Sequence, residues 1–532
     1  MRPSVRGATR RVLQAMAIGG ALKCATAASA FAQFSPWATF PLQYADARVL
    51  PAGVLRVGFL PSYANYDSRF GPGQTVRPLG ADLTSDTAGS NILWSIGTTE
   101  QAVRRIIGDS TYRATLGPIR TQLDADVRRI PLDLAFGLTS WLTLTARVSL
   151  VKTRMQAVVA LDSTKGTVGW NQVTSRANNA AGAAQIAALV SQLGTAVQTL
   201  ESRIAGGSYG CPSSPECAQA TTTLTRARNL LLGLQDLSRA GAAPVAPLGT
   251  SPAGTAMQAE IAAVKAALQN PSLGLPAVTA SYAFPGKSLT ASDFQTLLAD
   301  SAFGYQLRPL ATTDISKLGD TDVGVRIGLL QRPSARVALL GTVRLPTGTL
   351  DSSDHLVDLG TGDKQWDVEL GMEGALETGA LGLSASAIYT RQFAHNLSLR
   401  LGGSGVPIRP GSIEVPYNRD PGDVLQLSAF PSIQLNRGFR VFLQAHYYRQ
   451  SSDVYDYLGT EPSPAQPGVP GLAPSALNLG GGIHYRAERT GGGEATLPVE
   501  AGLSYQAAYR GSAGTPKSTI LNLYLRLHYQ IY

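Results

Sequence analysis

The stretch Leu521 to Tyr532, LNLYLRLHYQIY, alternates between apolar and polar side chains. Leu521, Leu523, Leu525, Leu527, Tyr529 and Ile531 share one phase, and Asn522, Tyr524, Arg526, His528 and Gln530 share the other. Successive side chains of a β-strand point to opposite faces, so this period predicts a strand with one apolar and one polar face. Tyr532 falls on the polar phase, which leaves Tyr529 and Ile531 as the apolar end of the strand. The same alternation runs through Leu142 to Leu150, with Thr143, Thr145, Arg147 and Ser149 on the polar phase, and through Trp366 to Glu373.

Alternation alone fits a soluble sandwich, with the apolar face inward, as well as a membrane barrel, with that face toward lipid. The connections separate the two. Candidate strands lie near residues 54–66, 126–138, 142–156, 318–330, 335–347, 365–377, 381–393, 423–436, 439–452, 476–487, 496–510 and 518–532. Links after even-numbered strands are tight: Thr139 to Trp141, Arg332 to Ser334, Gly379 to Ala380, Arg437 to Gly438 and Thr490 to Gly493. Most links after odd-numbered strands are long. Such sorting by parity is the signature of an outer-membrane barrel, with turns on the periplasmic side and loops outside. The expected fold is therefore an all-β transmembrane barrel of about twelve antiparallel strands, followed from residue 54 to 532 and closed by pairing of the last strand with the one near Val54.

Composition agrees. Charged residues make up 15% of 532, and 44% apolar residues never gather into a long unbroken run, as a helical span would require. Residues 1–32 read as a signal peptide, with Arg2, Arg6, Arg10 and Arg11 before the apolar stretch Val12 to Leu22 and an Ala30-Phe31-Ala32 cleavage site. Removing that leader lowers the formal charge from +9 by its five basic residues, so the basic balance does not point to nucleic acid. Residues 33–53, apolar and aromatic without alternation, are a periplasmic tail or a plug. Cys211 and Cys217 in CPSSPEC are expected to form a disulfide in an oxidising compartment.

Residues 178–303 break the strand pattern as a helical insert. Ile186, Val190, Leu193, Val197, Leu200 and Ile204 recur at helical spacing, and Leu224, Ala227, Leu231 and Leu234 continue the seam beyond the cysteines. A helical hairpin pinched by the disulfide is expected, with further helices near Met257 to Leu268 and Ala291 to Ala302 completing an extracellular cap. A shorter helix is expected near Thr98 to Ile107.

Facing assigns the lumen. Arg129, Asp133, Arg147, Arg326, Arg344, Asp367, Glu369, Glu373, Arg440, His446, His484, Glu500, Arg526 and His528 all fall on polar phases. At the lipid midplane each Arg would cost about 2 to 4 kcal/mol, so the polar phase faces inward. These charges either form ladders that stiffen the wall or a polarised constriction that sorts solutes. Tyr63, Trp141, Trp366, Tyr447, Tyr485, Tyr505 and Tyr529 are candidates for the interfacial aromatic girdles. No residue spacing specifies catalysis, a cofactor or a metal. The acidic loop Asp351 to Asp363 is read as solvated rather than as a Ca²⁺ site, because it lacks a ligand register.

Three stretches resemble the bacterial outer-membrane family associated with the meta-pathway of phenol degradation, a relative of the hydrophobic-substrate transporters: GDTDVGVRIGL (Gly319 to Leu329), VRLPTGT (Val343 to Thr349) and LGTGDKQWDVELG (Leu359 to Gly371). The resemblance implies a barrel that passes apolar small molecules and carries over no binding residue. The resulting expectation is a monomeric channel or facilitated transporter for small hydrophobic or aromatic molecules. Its expected partners are outer-membrane lipid, the barrel-assembly machinery and an apolar solute, with no nucleic acid. The competing readings are an outer-membrane lipid hydrolase using His446, His484 or His528, and a structural or adhesive barrel acting through the insert.

Overall fold

A computed structural model describes residues 47–174, 179–303, 305–400, 406–408, 414–436, 438–459, 473–487 and 499–531. The expected signal peptide, most of the segment expected to be a tail or plug, the link at Thr490 to Gly493 and Tyr532 lie outside the described residues.

All twelve expected strands form. They are β1 (Val54–Phe59 and Ser62–Tyr66), β2 (Ile119–Gly137), β3 (Leu142–Leu161), β4 (Thr313–Leu318 and Thr321–Gln331), β5 (Ala335–Leu345) and β6 (Asp367–Thr378). The rest are β7 (Leu381–Gln392), β8 (Val424–Gln434), β9 (Phe439–Gln450), β10 (Ser475–Arg486), β11 (Val499–Gly511) and β12 (Thr519–Gln530). Each pairs antiparallel with its chain neighbour. The seam closes through Val54↔Gln530 to Phe59↔Leu525 and then Ser62↔Asn522 to Asn65↔Thr519. Closure satisfies every ladder and leaves no edge, which a lipid environment demands.

The two breaks in the wall are bridged. Pro61 interrupts β1 because it has no N–H to give the ladder. Its carbonyl still accepts from the Leu523 amide at 2.9 Å, and the Leu60 amide donates to the Pro131 carbonyl at 3.1 Å. In β4 the break falls at Gly319, whose amide reaches the Ser149 carbonyl at 2.8 Å.

The outside of the barrel is apolar: Leu132, Leu134, Leu144, Val148, Leu370, Leu443, Leu523 and Leu525 are all exposed. Trp141, Trp366, Tyr485 and Tyr529 face outward near strand ends, as girdle residues should. Tyr505 also faces outward, but at the middle of β11 and opposite Gly481, so it belongs to the band rather than to a girdle.

The strands β2 and β3 run further than the alternation suggested, to Ile119 and Leu161. Their apolar phase inverts on the way. Below the inversion, Ile130, Leu132, Leu144, Val148 and Leu150 point out while Arg129, Asp133, Arg147 and Ser149 point in. Above it, Arg128, Asp126, Lys152, Arg154 and Gln156 point out while Val127, Ala125, Leu123, Val151 and Met155 are buried inside. The paired residues Ile130↔Leu150 and Arg128↔Lys152 mark the change of solvent from lipid to water. Beyond that level an outward charge costs little and the apolar face must find a partner inside.

That partner is loop structure. A mouth core joins Leu123, Ala125, Val127, Val151 and Met155 to Leu79, Leu83, Leu93, Phe294, Leu298 and Tyr305. A second core holds the cap, built from α1 (Ile96–Ile107), α2 (Ala180–Ala205), α3 (Pro215–Ser238) and α4 (Pro252–Leu268). The helices expected in the insert are present, and Cys211 and Cys217 are disulfide-bonded. Ser214 caps α3 by accepting from the Cys217 amide, which fixes the turn beside that bond. Two features differ from expectation. The first outer loop lends α1 to the cap, where Gly233 of α3 lies so close that a Cβ would sit 2.4 Å from Ile106 Cγ1. The last helix, α5 (Ala291–Ala299), leaves the cap and packs Phe294, Leu297 and Leu298 into the mouth core.

Candidate functional site in the barrel lumen

The inward-facing side chains of β1 to β6 form one continuous ion-pair ladder. Arg56 pairs with Asp133 at 3.0 Å, and Asp133 with Arg147 at 3.3 Å. Arg147 lies 3.9 Å from Asp322, Asp322 is 2.9 Å from Arg344, and Arg344 is 3.2 Å from Asp367. Arg129 joins at Asp322, 4.0 Å away, and donates to Ser149 Oγ at 3.1 Å. Glu369 follows Asp367 on the same inward face. Lower in the barrel Arg326 meets Glu373 at 3.2 Å, Glu377 bridges Arg336 (2.6 Å) and Arg440 (3.0 Å), and Glu500 bridges Arg486 and Arg526 (both 3.5 Å).

Each expected lumen residue lies on an inward phase, and the ladder brings most of the charged ones together. The arrangement favours wall stiffening over a polarised constriction, since opposite charges alternate around the wall rather than gathering on facing sides. Two members, Arg56 and Asp322, were missed from sequence. Both carried a usable signal, because each alternates with outward apolar neighbours, Leu55 and Val57 for the first and Val323 for the second.

The remaining wall is different. At mid-height, β7 to β12 present neutral polar groups: Ser386, Ser428, Gln444, His446, Asn478, Gln506 and Asn522, each no more than 6% exposed. Ser428 Oγ lies 2.9 Å from His446 Nδ1. His484 Nδ1 hydrogen-bonds the Tyr524 hydroxyl, and His528 stands opposite Arg56 at the seam. So the three candidate histidines sit on separate strands or levels, and one of them touches a serine.

Both mouths are filled. On the periplasmic side, residues 47–53 enter the barrel rather than trailing away. The Leu50 amide donates to Thr143 Oγ1 at 2.9 Å, Gln331 Nε2 donates to the Ala47 carbonyl at 2.9 Å, and Arg326 Nη1 donates to the Arg48 carbonyl at 3.0 Å. Ala47 packs on Ala338 and Ala375. On the extracellular side Tyr305, fully buried, holds the mouth core through hydrogen bonds with the Ser95 amide (3.0 Å) and Ser95 Oγ (2.7 Å).

The acidic loop is not solvated. Val357 and Leu359 are buried in the mouth core, Thr153 Oγ1 donates to the Leu359 carbonyl at 2.8 Å, and Asp358 and Asp363 are buried. Burial, with the neighbouring Asp358 charge, pushes the Asp351 carboxyl up to about 7. Burial and the Asp367 and Asp320 charges also raise Asp363. Among the described residues no group of three or more His, Cys, Asp or Glu side chains could hold a metal.

The motifs that carried the family resemblance meet here. Thr347 Oγ1 donates to the Gly319 carbonyl at 2.7 Å, the Gly348 amide to Asp320 Oδ1 at 2.8 Å and the Thr361 amide to the Thr349 carbonyl at 2.7 Å. Gly362 is required by this packing, since a Cβ there would stand 2.4 Å from Asp320 Oδ2. Three segments distant in sequence thus form one knot at the top of β4, β5 and β6.

Residues 264–492 match the family described as Putative MetA-pathway of phenol degradation. The match runs from within α4 to just past β10 and contains all three motifs, which bears out the resemblance read from them. No curated protein matches the chain. Solved structures that align with the chain include an outer membrane channel from Pseudomonas putida F1, at 9% identity with 92% of this chain and 100% of that chain covered and a TM-score of 0.41. The translocator domain of the autotransporter NalP from Neisseria meningitidis aligns at 7% identity, 90% and 88% coverage and a TM-score of 0.31. The toluene transporter TbuX from Ralstonia pickettii aligns at 10% identity, 91% and 90% coverage and a TM-score of 0.25. Scores this low add nothing to the barrel geometry described above.

Proposed function

We propose that this barrel is an outer-membrane channel for facilitated passage of small apolar or aromatic molecules. The observation that carries the reading is the inverted face of β2 and β3. Above the membrane the inside of the wall is lined by Leu123, Ala125, Val127, Val151 and Met155. An apolar solute leaving water gains burial there at about 25 cal/mol per Å² of its surface. The loop residues that cover this lining, Phe294, Leu298 and Tyr305, act as the gate, and residues 47–53 are the exit plug. No cofactor or energy input enters the scheme; the gradient drives the flux. The family's description, which ties it to breakdown of an aromatic compound, agrees with this solute class.

Proteoliposome uptake tests the proposal. Purified full-length protein should raise the flux of toluene over that of a sugar of similar size. Phe294→Ala, which loosens the gate, should raise it further. If neither protein changes toluene flux over empty liposomes, the channel reading fails. The Ser428 to His446 contact keeps lipid hydrolysis as a second reading, and esterase activity in the native protein that disappears in Ser428→Ala would establish it.

A further inference from the structure

The neutral wall holds unmet hydrogen-bonding capacity in one row. Ser386, Ser428, His446 and Asn478 are direct cross-strand neighbours on β7, β8, β9 and β10, all facing the lumen. Ser428 and His446 hydrogen-bond each other. Ser386 Oγ, His446 Nε2 and both amide atoms of Asn478 have no partner, although His446 and Asn478 are each 1% exposed and Ser386 is 6% exposed. Buried polar groups are ordinarily paired, and four unpaired atoms adjacent in register are a feature to be explained.

A second feature adjoins the row. Phe430, two residues along β8 from Ser428, and Phe442 of β9 point into the lumen and meet edge to face, with ring centroids 6.0 Å apart.

We infer that this row and the phenylalanine pair form a binding subsite for a neutral aromatic molecule bearing a hydroxyl group. The ring packs against Phe430 and Phe442, where offset or edge contacts are favourable. The hydroxyl, both donor and acceptor, matches Asn478 and His446, which between them offer both roles. A hydrocarbon would leave these atoms unpaired. An ionised solute finds the adjoining charges already committed, Arg326 to Glu373 and Arg440 to Glu377. A site built to hydrogen-bond a hydroxyl discriminates strongly against an analogue that lacks it. The inference rests on the channel reading above and sharpens it, placing selectivity in mid-lumen rather than at the apolar mouth.

The test separates the two claims. Equilibrium binding of phenol, toluene and benzoate to the full-length protein in detergent is measured by saturation-transfer NMR, and flux of the same three probes is measured in proteoliposomes. Phenol should bind more tightly than toluene or benzoate. Asn478→Leu and His446→Phe should each lower the phenol-to-toluene binding ratio, about tenfold for the former. The outward-facing neighbour Leu479→Ala should leave it unchanged. Heat-modifiable migration on gels shows that each variant is folded. Phenol binding no tighter than toluene, or a ratio unmoved in both Asn478→Leu and His446→Phe, overturns the subsite and leaves the row to water. Absence of flux with phenol binding intact overturns the channel reading and leaves the subsite standing.

Discussion

Arg344 of β5 and Asp322 of β4 sit directly opposite each other in register, and the guanidinium Nε donates to Oδ1 at 2.9 Å. Asp322 is also approached by Arg129 and Arg147. One carboxylate thereby ties four strands, β2 to β5, into a single ladder.

Replacing Asp322 by Asn removes one counter-charge from three half-buried arginines, of which Arg147 keeps Asp133 and Arg344 keeps Asp367. Breaking a fully buried pair by removing one partner costs about 3 to 5 kcal/mol, and the partial exposure of these arginines screens the loss to about 1 to 3 kcal/mol. The urea midpoint of refolding into lipid vesicles should fall accordingly, and a double-mutant cycle with Arg344→Gln should show strong coupling. A midpoint shift below about 1 kcal/mol would assign the ladder to solvent-screened contacts instead.

The facing of β12 predicts opposite outcomes for adjacent residues. Leu525→Arg places a charge in lipid and should cost about 2 to 4 kcal/mol. Arg526, one residue further on, already carries a charge on the inward face beside Glu500, and Arg526→Lys should be tolerated far better. Comparable losses for both would refute the assigned phase.

The family motif makes a sharper claim. Gly362→Ala forces a Cβ to within 2.4 Å of Asp320 Oδ2 and should loosen the knot above β4 to β6. Faster proteolysis of residues 349–363, with the barrel still resistant, is the expected result.

The same loop should respond to pH. Asp351 has its carboxyl raised to about 7 from 3.8, first by burial and then by Asp358, and Asp363 shifts in the same direction. The folded loop therefore binds protons more tightly than the unfolded one. Its stabilisation is full below the unfolded value and is lost as pH rises through about 7. Hydrogen exchange across residues 349–363, corrected for intrinsic rates, should speed up between pH 5 and 8, on the order of the window set by that shift. Asp351→Asn should flatten part of the dependence. Exchange that slows with rising pH would contradict the assignment.

Much of this was legible in the chain. The alternation in LNLYLRLHYQIY fixed which residues of β12 meet lipid, and its seam with β1 forms as expected. Loop lengths gave strand parity, and helical spacing located α2 and α3. The strand ends at Ile119 and Leu161 were hidden because their apolar phase inverts, so a search for one continuous outward stripe stops near the membrane boundary. The acidic loop looked solvated because its carboxylates outnumber its apolar residues, yet Val357 and Leu359 are enough to anchor it in the mouth.

By itself, then, the sequence determined strand number, facing and which charges line the lumen, since period and polarity are local properties of each segment. Only the tertiary structure decided which of those charges neutralise one another, that α1 of the first outer loop joins the cap while α5 joins the mouth core, and that Ser386, Ser428, His446 and Asn478 share one row. Those relations depend on register between strands that closure of the barrel brings together, and register across a closed sheet is a property of the whole chain.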